Sequence, residues 1–335
     1  MLKANSKWFG LKGLEGLLVV VLLIECIIFS ITGRHFATSD NVFEILRLST
    51  EIGLLALVMT PVILTGGIDL SCGSLLGLCA ILFGKFCRDA GLPVPIAAIL
   101  TVMIGALGGL VNATLITRLK LPPLIVTLGS LSLFRGLAEA ITRGVDNFTN
   151  FPAGFLYLGQ GYLFGTVPTQ LIVFLIVALV VWLLVHRTVF GRSWRAIGFS
   201  PEGARFAGIP VQKRVGFAYV LSGTVSALAA LIYVARVGQA KADAGTGYEL
   251  LAITGVVLGG ASIFGGTGSV HGTLLGVLIL AILKIGLTLS DQPSELAGIL
   301  TGLLLLIVLV IESLVMKISA RRPVSSTATI PPVAP

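Results

Sequence analysis

Apolar runs of about twenty residues follow one another along almost the whole chain, separated by short polar or glycine-rich breaks. An α-helix needs ~20 residues to cross a hydrocarbon core of ~30 Å. The run VFLIVALVVWLLV, Val173 to Val185, is apolar on every face, whereas a membrane β-strand would alternate apolar and polar positions over ~10 residues. The pattern therefore predicts an all-α, polytopic integral membrane protein. About ten transmembrane helices are expected, near 14–33, 52–66, 71–87, 94–117, 122–142, 167–187, 214–235, 247–265, 270–289 and 294–315. The second and third are short and read as half-helices meeting inside the membrane. Ahead of them, Glu44, Arg47 and Glu51 recur at helical spacing, which predicts an amphipathic lead-in helix on the surface over Asn41 to Glu51.

The break between those short spans reads TGGIDLSCGS, Thr65 to Ser74. Gly66 and Gly67 allow a sharp turn, and Asp69 or Ser71 can accept backbone N–H bonds as a cap on the helix starting near Cys72. The same side chains could instead touch a transported molecule. A similar string, Gly265-Gly266 followed by Gly268-Ser269-Val270-His271-Gly272, separates two later spans and suggests a paired break.

Composition agrees with the pattern: of 335 residues, 56% are hydrophobic and 11% charged, and the mean hydropathy is +1.03. Charge orients the chain. With both termini cytoplasmic, the predicted inner loops and ends collect fourteen Lys and Arg against seven outside, in the direction of the positive-inside rule. The run from Leu14 to Thr32 is too long for a signal-peptide core and counts as the first span. Cys26, Cys72, Cys79 and Cys87 form no CxxC pair and read as small apolar fillers.

Several chemistries are excluded by absence. No phosphate-binding loop is present, since Gly84-Lys85 is followed by Phe86, and the three histidines, His35, His186 and His271, are scattered. The spans do carry neutral hydrogen-bonding side chains, as a path for a polar molecule would need. Asn112, Asp69, Ser71 and Ser74 are the candidates, Asn112 foremost because it lies one turn from Gly105 and Gly109, on a face where helices can approach closely. Arg135 and Glu139 can pair with each other, Glu25 should face protein, and Lys284 could find Glu25 or Glu295.

The longest polar stretch inside the body, GRSWRAIGFSPEGARFAGIP from Gly191 to Pro210, predicts a short helix with full punctuation. Ser200 is its N-cap, Pro201 its first residue, Glu202 lies at the positive end of the dipole, and Gly208 stops it. A helix that short is marginal alone and implies something to pack against. This segment resembles the coupling segment of ABC-importer permeases, which docks into a groove of the ATPase subunit. Three further stretches are similar, in order, to permeases of carbohydrate importers of the ribose, rhamnose and autoinducer-2 type: TGGIDLSCGS, LPPLIVTLGSLSLFRG, and YELLAITGVVLGGASIFGGTGSVHGTLLG. FPAGFLYLGQGY leans toward rhamnose-type members and the region around GLCAI toward autoinducer-2-type members. Leu251 departs from the family, which usually has an acidic residue there.

The resemblance implies a transport subunit of the bacterial inner membrane, forming half of a translocation path for a neutral carbohydrate. Its expected partners are ABC ATPase subunits, a second permease chain, an extracytoplasmic substrate-binding protein and the lipid bilayer. No catalytic residue, cofactor, metal or nucleic acid is expected for this chain. Ser200, Pro201, Glu202, Gly203, Ala204, Arg205, Phe206, Ala207 and Gly208 carry over as the ATPase-coupling residues. Residues 1–13 are expected as a cytoplasmic N-terminus, 14–316 as the permease domain with a cytoplasmic loop over 188–213 and an outer loop over 143–166, and 317–335 as a disordered cytoplasmic tail. The outer loop's many Phe and Tyr suit either docking of the binding protein or an interfacial belt.

Overall fold

Helix-length apolar runs punctuated by glycine and proline become thirteen helices and one two-stranded hairpin among the described residues, 11–320, of the computed structural model. In chain order they are α1 (Leu11–Thr32), α2 (Ser39–Leu64), α3 (Cys72–Arg88), α4 (Val94–Thr117), α5 (Pro123–Thr142), α6 (Ala153–Gln160), β1 (Tyr162–Leu163), β2 (Val167–Pro168), α7 (Gln170–Arg187), α8 (Val189–Phe199), α9 (Pro201–Phe206), α10 (Val211–Val237), α11 (Tyr248–Leu258), α12 (Val270–Leu289) and α13 (Ser294–Ala320). Six stretches, Glu15–Thr32 in α1 and the whole of α4, α5, α7, α10 and α12, are long and apolar enough to cross a membrane. Of the expected terminal segments, 1–13 and 317–335, residues 1–10 and 321–335 lie outside the described residues, while 11–13 belong to α1 and 317–320 to α13, so the last helix runs on into the expected tail.

Contacts define two ends of the bundle. At the upper end the N–H of Arg34 donates to Leu289 O at 2.9 Å, Phe148 bridges to Ala240, and Gln160 Nε2 donates to Arg236 O at 3.2 Å. At the lower end Gly266 N donates to Leu64 O at 3.0 Å and Trp194 Nε1 to Arg214 O at 2.9 Å. Every residue of α2 from Gly53 to Leu64 is buried, so this helix forms the axis, with α10, α11 and α12 around it. The crossing of α4 with α10 is close: a methyl group at Gly105, Gly109 or Gly223 would overlap the facing backbone. The GxxxG spacing of α4 is thus a packing device.

The expected surface lead-in helix and half-span are one continuous helix, α2, because Thr38 caps its start and no breaker follows before Pro61. Glu51, expected on the surface, is fully buried and accepts from Arg236 Nε of α10 at 2.6 Å. The span expected over 247–265 is an eleven-residue half-helix, α11, ended at Gly259 and Gly260, where φ reaches +88° at Gly260. Arg135 does not pair with Glu139; its guanidinium donates to the carbonyls of Ala242 and Ala244. Lys284 pairs with neither Glu25 nor Glu295 among the described residues, because it sits on the exposed face of α12 while Gly286 packs on Phe29 of α1.

Three of the four phenylalanines of the aromatic outer loop also differ from both expectations. Phe148, Phe151 and Phe155 are buried, and Phe151 and Phe155 pack with Phe83 of α3 at ring separations of 4.8 to 5.6 Å. They plug the upper end of the bundle, since burying Phe151 and Phe155 against Phe83, and Phe148 against Gly84, outweighs leaving them in an interface.

Removing one partner of a buried ion pair strands the other. Glu51→Ala should therefore lower stability by about 3 kcal/mol, measured as thermal unfolding of the purified protein in detergent. Phe164→Ala, at a hairpin position that is 99% exposed, should leave the midpoint unchanged.

Candidate functional site

Two groups of residues singled out from the sequence are brought to well-defined places. The first is the α8–α9 segment at the lower end. Thr188 caps α8, accepting from Phe190 N at 3.1 Å, and Trp194 is fully buried beside Phe190 and Phe217, with the Arg214 guanidinium 4.1 Å from the Phe190 ring centre. Gly198 lies where α8 meets both glycine breaks: a side chain there would overlap Leu64 O and Gly266 N. Arg195 ties the same helix to the second break, donating to Val185 O at 3.0 Å and to Gly268 O at 3.3 Å.

From that anchored helix projects α9. Ser200 Oγ accepts from Gly203 N at 3.0 Å, Pro201 occupies the first position, and Glu202 lies in the first turn, as the sequence predicts. At the other end Gly208 N donates to Arg205 O and Ile209 N to Ala204 O, both at 3.0 Å, with Gly208 at φ +79°. These two bonds and the left-handed glycine make a Schellman termination. Both ends of a six-residue helix are thus closed, although it buries only Ala204. Pro201, Glu202, Gly203, Arg205, Ala207 and Gly208 are exposed, and so are two large aromatic rings, Phe206 at 92% and Phe199 at 71%.

The second group is a buried polar network joining four elements. Asp69 Oδ1 accepts from Ser71 N at 3.0 Å and Ser71 Oγ at 2.6 Å, while Oδ2 accepts from Ser222 Oγ of α10 at 2.7 Å. Asn112 Nδ2 of α4 donates to Ser71 Oγ at 2.8 Å, and Ser130 Oγ of α5 donates to Asn112 Oδ1 at 2.5 Å. Ser74 Oγ returns to Ser71 O at 2.9 Å. All four predicted residues, Asp69, Ser71, Ser74 and Asn112, are buried and bonded to this network. Three donors on one carboxylate offset the cost of burying it without a cation.

Between the network and α9 lies a recess of ≈390 Å³ whose walls include Gly67, Thr117, Lys120, Arg205, Gln212 and Tyr219. The fully buried Tyr219 hydroxyl has no hydrogen-bond partner. Sequence reasoning missed this residue; the signal is Gly67, where a Cβ would collide with that hydroxyl. Two of the scattered histidines also meet: His186 and His271 lie 5.1 Å apart, and Trp182 Nε1 donates to His271 Nε2 at 2.9 Å. Val270 N donates to His186 Nε2, so each ring has a structural partner.

A capped, exposed helix thus projects beside a membrane bundle broken at glycines, and known proteins of similar sequence are transport permeases. The family model for the branched-chain amino acid transport system / permease component matches residues 41–309. The autoinducer 2 import system permease proteins LsrD of Yersinia pseudotuberculosis serotype O:1b (strain IP 31758) and Yersinia pestis (strain Pestoides F) are each 39% identical over 315 residues, covering 90% of this chain and 92% of theirs. No solved structure matches. The chain therefore belongs to this family of bacterial ABC-importer permeases, multi-pass proteins of the inner membrane.

Proposed function

We propose that this chain is the permease subunit of an ATP-driven, binding-protein-dependent importer of autoinducer-2 or a neutral carbohydrate of similar size. It forms half of the path with a second permease chain and needs no cofactor of its own. ATP is hydrolysed in a separate subunit that receives α9. The observation carrying this reading is α9 itself, closed at both ends yet leaving Phe199 and Phe206 bare beside the membrane-embedded bundle. Exposed aromatic rings on a rigid mount are what a partner's pocket would bury.

The same reading makes the lower end cytoplasmic. Arg118, Lys120, Arg187, Arg192, Arg195, Arg205, Lys213 and Arg214 all belong to the segments at that end, in keeping with the positive-inside rule. Ten crossings then follow, by α1 to α5, α7 and α10 to α13, with both termini cytoplasmic. Asp69, Ser71, Ser74 and Asn112 act as a brace that caps α3 and holds it to α4, α5 and α10, rather than as solute contacts.

Phe206→Ala and Ala207→Glu should each weaken association with the co-purified ATPase at least tenfold while the permease still inserts and folds, measured by pull-down from solubilised membranes. Normal association and transport in both variants would overturn the coupling assignment. Asp69→Asn should keep assembly and most transport, since the amide retains an acceptor for Ser71 and a donor for Ser222, whereas Asp69→Leu should prevent stable folding; lost transport with normal assembly in Asp69→Asn would make the carboxylate a pathway group. Uptake in membrane vesicles should be competed by autoinducer-2 or a pentose and not by leucine. Competition by leucine alone would assign the chain to amino-acid import, as the wording of the family description allows.

A further inference from the structure

The connection between α10 and α11 is not a surface loop. It leaves the upper end at Ala240, which bridges to Phe148 beside Gly84 of α3, and reaches Gly245, whose carbonyl would lie 2.5 Å from a Cβ on Gly73. Gly84 and Gly73 are eleven residues apart on one helix, or about 16 Å at 1.5 Å per residue. The segment therefore descends about half the thickness of a ~30 Å hydrocarbon core before α11 begins.

Lipid offers such a segment no hydrogen bonds, so the protein must supply them. Arg135 of α5 does so for the carbonyls of Ala242 and Ala244, and Glu249 Oε1 accepts from Gly247 N at 3.3 Å. The two charged side chains lie across Gly73 and Gly77, one turn apart on α3, where any Cβ would collide with them. On its other side the segment is open: Asp243 and Thr246 are exposed, and so are Ser132 and Glu139, one turn either side of Arg135 on the same face of α5. Glu139, Asp243 and Glu249 all lie within electrostatic reach of the Arg135 guanidinium, three carboxylates around one cation. The outward faces of α4 and α7 at this depth carry Ile99, Met103, Leu107, Leu175, Ile176 and Leu179, and α5 itself exposes Leu133 and Leu137 beside its polar residues. Glu139 lies in the last turn of α5 and Ser132 about 10 Å deeper by helix rise; a polar strip running that deep is unfavourable against lipid, so this part of the α5 face meets water.

We propose that Ser132 and Glu139 of α5, with Asp243 and Thr246 of the descending segment, form the wall of the aqueous path and bind the solute there. This rests on the importer reading, with the second permease chain across the path. The chemistry favours a neutral polyhydroxylated molecule: carboxylate and hydroxyl oxygens accept from its O–H groups, and the excess of carboxylate repels anions such as phosphorylated sugars. Arg135 is a positioning residue, held by backbone carbonyls and turned toward the segment it supports.

The test places single cysteines at Thr246 and Ser132, and at the lipid-facing controls Leu175 and Ile99, in the assembled importer in membrane vesicles, with Cys26 and Cys87 replaced by alanine. Charged, membrane-impermeant methanethiosulfonates are the probes. T246C and S132C should react at least tenfold faster than the controls, and faster with the cationic ethyltrimethylammonium reagent than with the anionic ethylsulfonate. Asp243→Asn and Thr246→Val should reduce uptake at least tenfold with ATPase association unchanged. Labelling of both path cysteines no faster than L175C would overturn the proposal, as would full uptake by both path variants. If ATPase association is intact and sensitive to Phe206→Ala while T246C stays unlabelled, the path runs elsewhere and the importer reading stands; if no ATPase associates, the importer reading itself fails.

Discussion

A lipid bilayer gives an interrupted helix nothing to bond with, and the architecture of this chain follows from where its interruptions find partners. Three helices begin after glycine-rich breaks, α3, α11 and α12, and each break is answered by another piece of backbone or by a buried side chain. The turn after α2 and the turn after α11 bond to each other through Gly266 N and Leu64 O, and α8 closes over both at Gly198. The start of α3 is served by Asp69, and the entry to α11 by Arg135 and Glu249. Glycine is favoured at Gly66, Gly265 and Gly266 because φ is between +80° and +93°, and at Gly265 the approaching backbones of Gly66 and Gly198 also leave no room for a Cβ.

Much of this was legible along the chain because the signals were local. The span at 94–117 coincides with α4, since Pro93 and Pro95 set its start and the apolar run is uninterrupted. The cap at Ser200, the proline at 201 and the glycine at 208 describe α9 fully, all within nine residues. What was not legible depended on partners far away in sequence. Glu51 reads as surface because nothing near it in the chain is a buried cation, and its partner Arg236 is 185 residues on. Arg135 has an acidic neighbour four residues away, yet the carbonyls it serves come 107 and 109 residues later. The phenylalanines after α5 looked like surface aromatics until α3 supplied Phe83 to pack against.

The candidate residues divide by the same logic. The residues of α9 could be found one by one, because a short capped helix that buries one side chain has a recognisable outline. The polar residues could be found as a set but not assigned, because Asn112, Ser71 and Asp69 satisfy one another only when α3, α4, α5 and α10 are together. Their mutual satisfaction is the reason they serve better as a brace: a solute would have to compete with bonds of 2.5 to 2.8 Å already made in a dry interior.

The buried polar network and α9 are mechanically one assembly. α8 cannot yield at Gly198, where the clearance excludes even a methyl group, so a displacement of α9 passes to the end of α2 and to the turn before α12. Beyond Leu64 only four residues separate the end of α2 from Asp69, and Asp69 and Ser71 are bonded in turn to α10 and, through Asn112, to α4 and α5. The last helix in that chain of contacts, α5, carries Arg135, which holds the descending segment by its carbonyls. Packed interiors transmit such displacements because they have little free volume to absorb them. A push at the lower end therefore reaches the polar face on α5 without crossing any surface that lipid could soften.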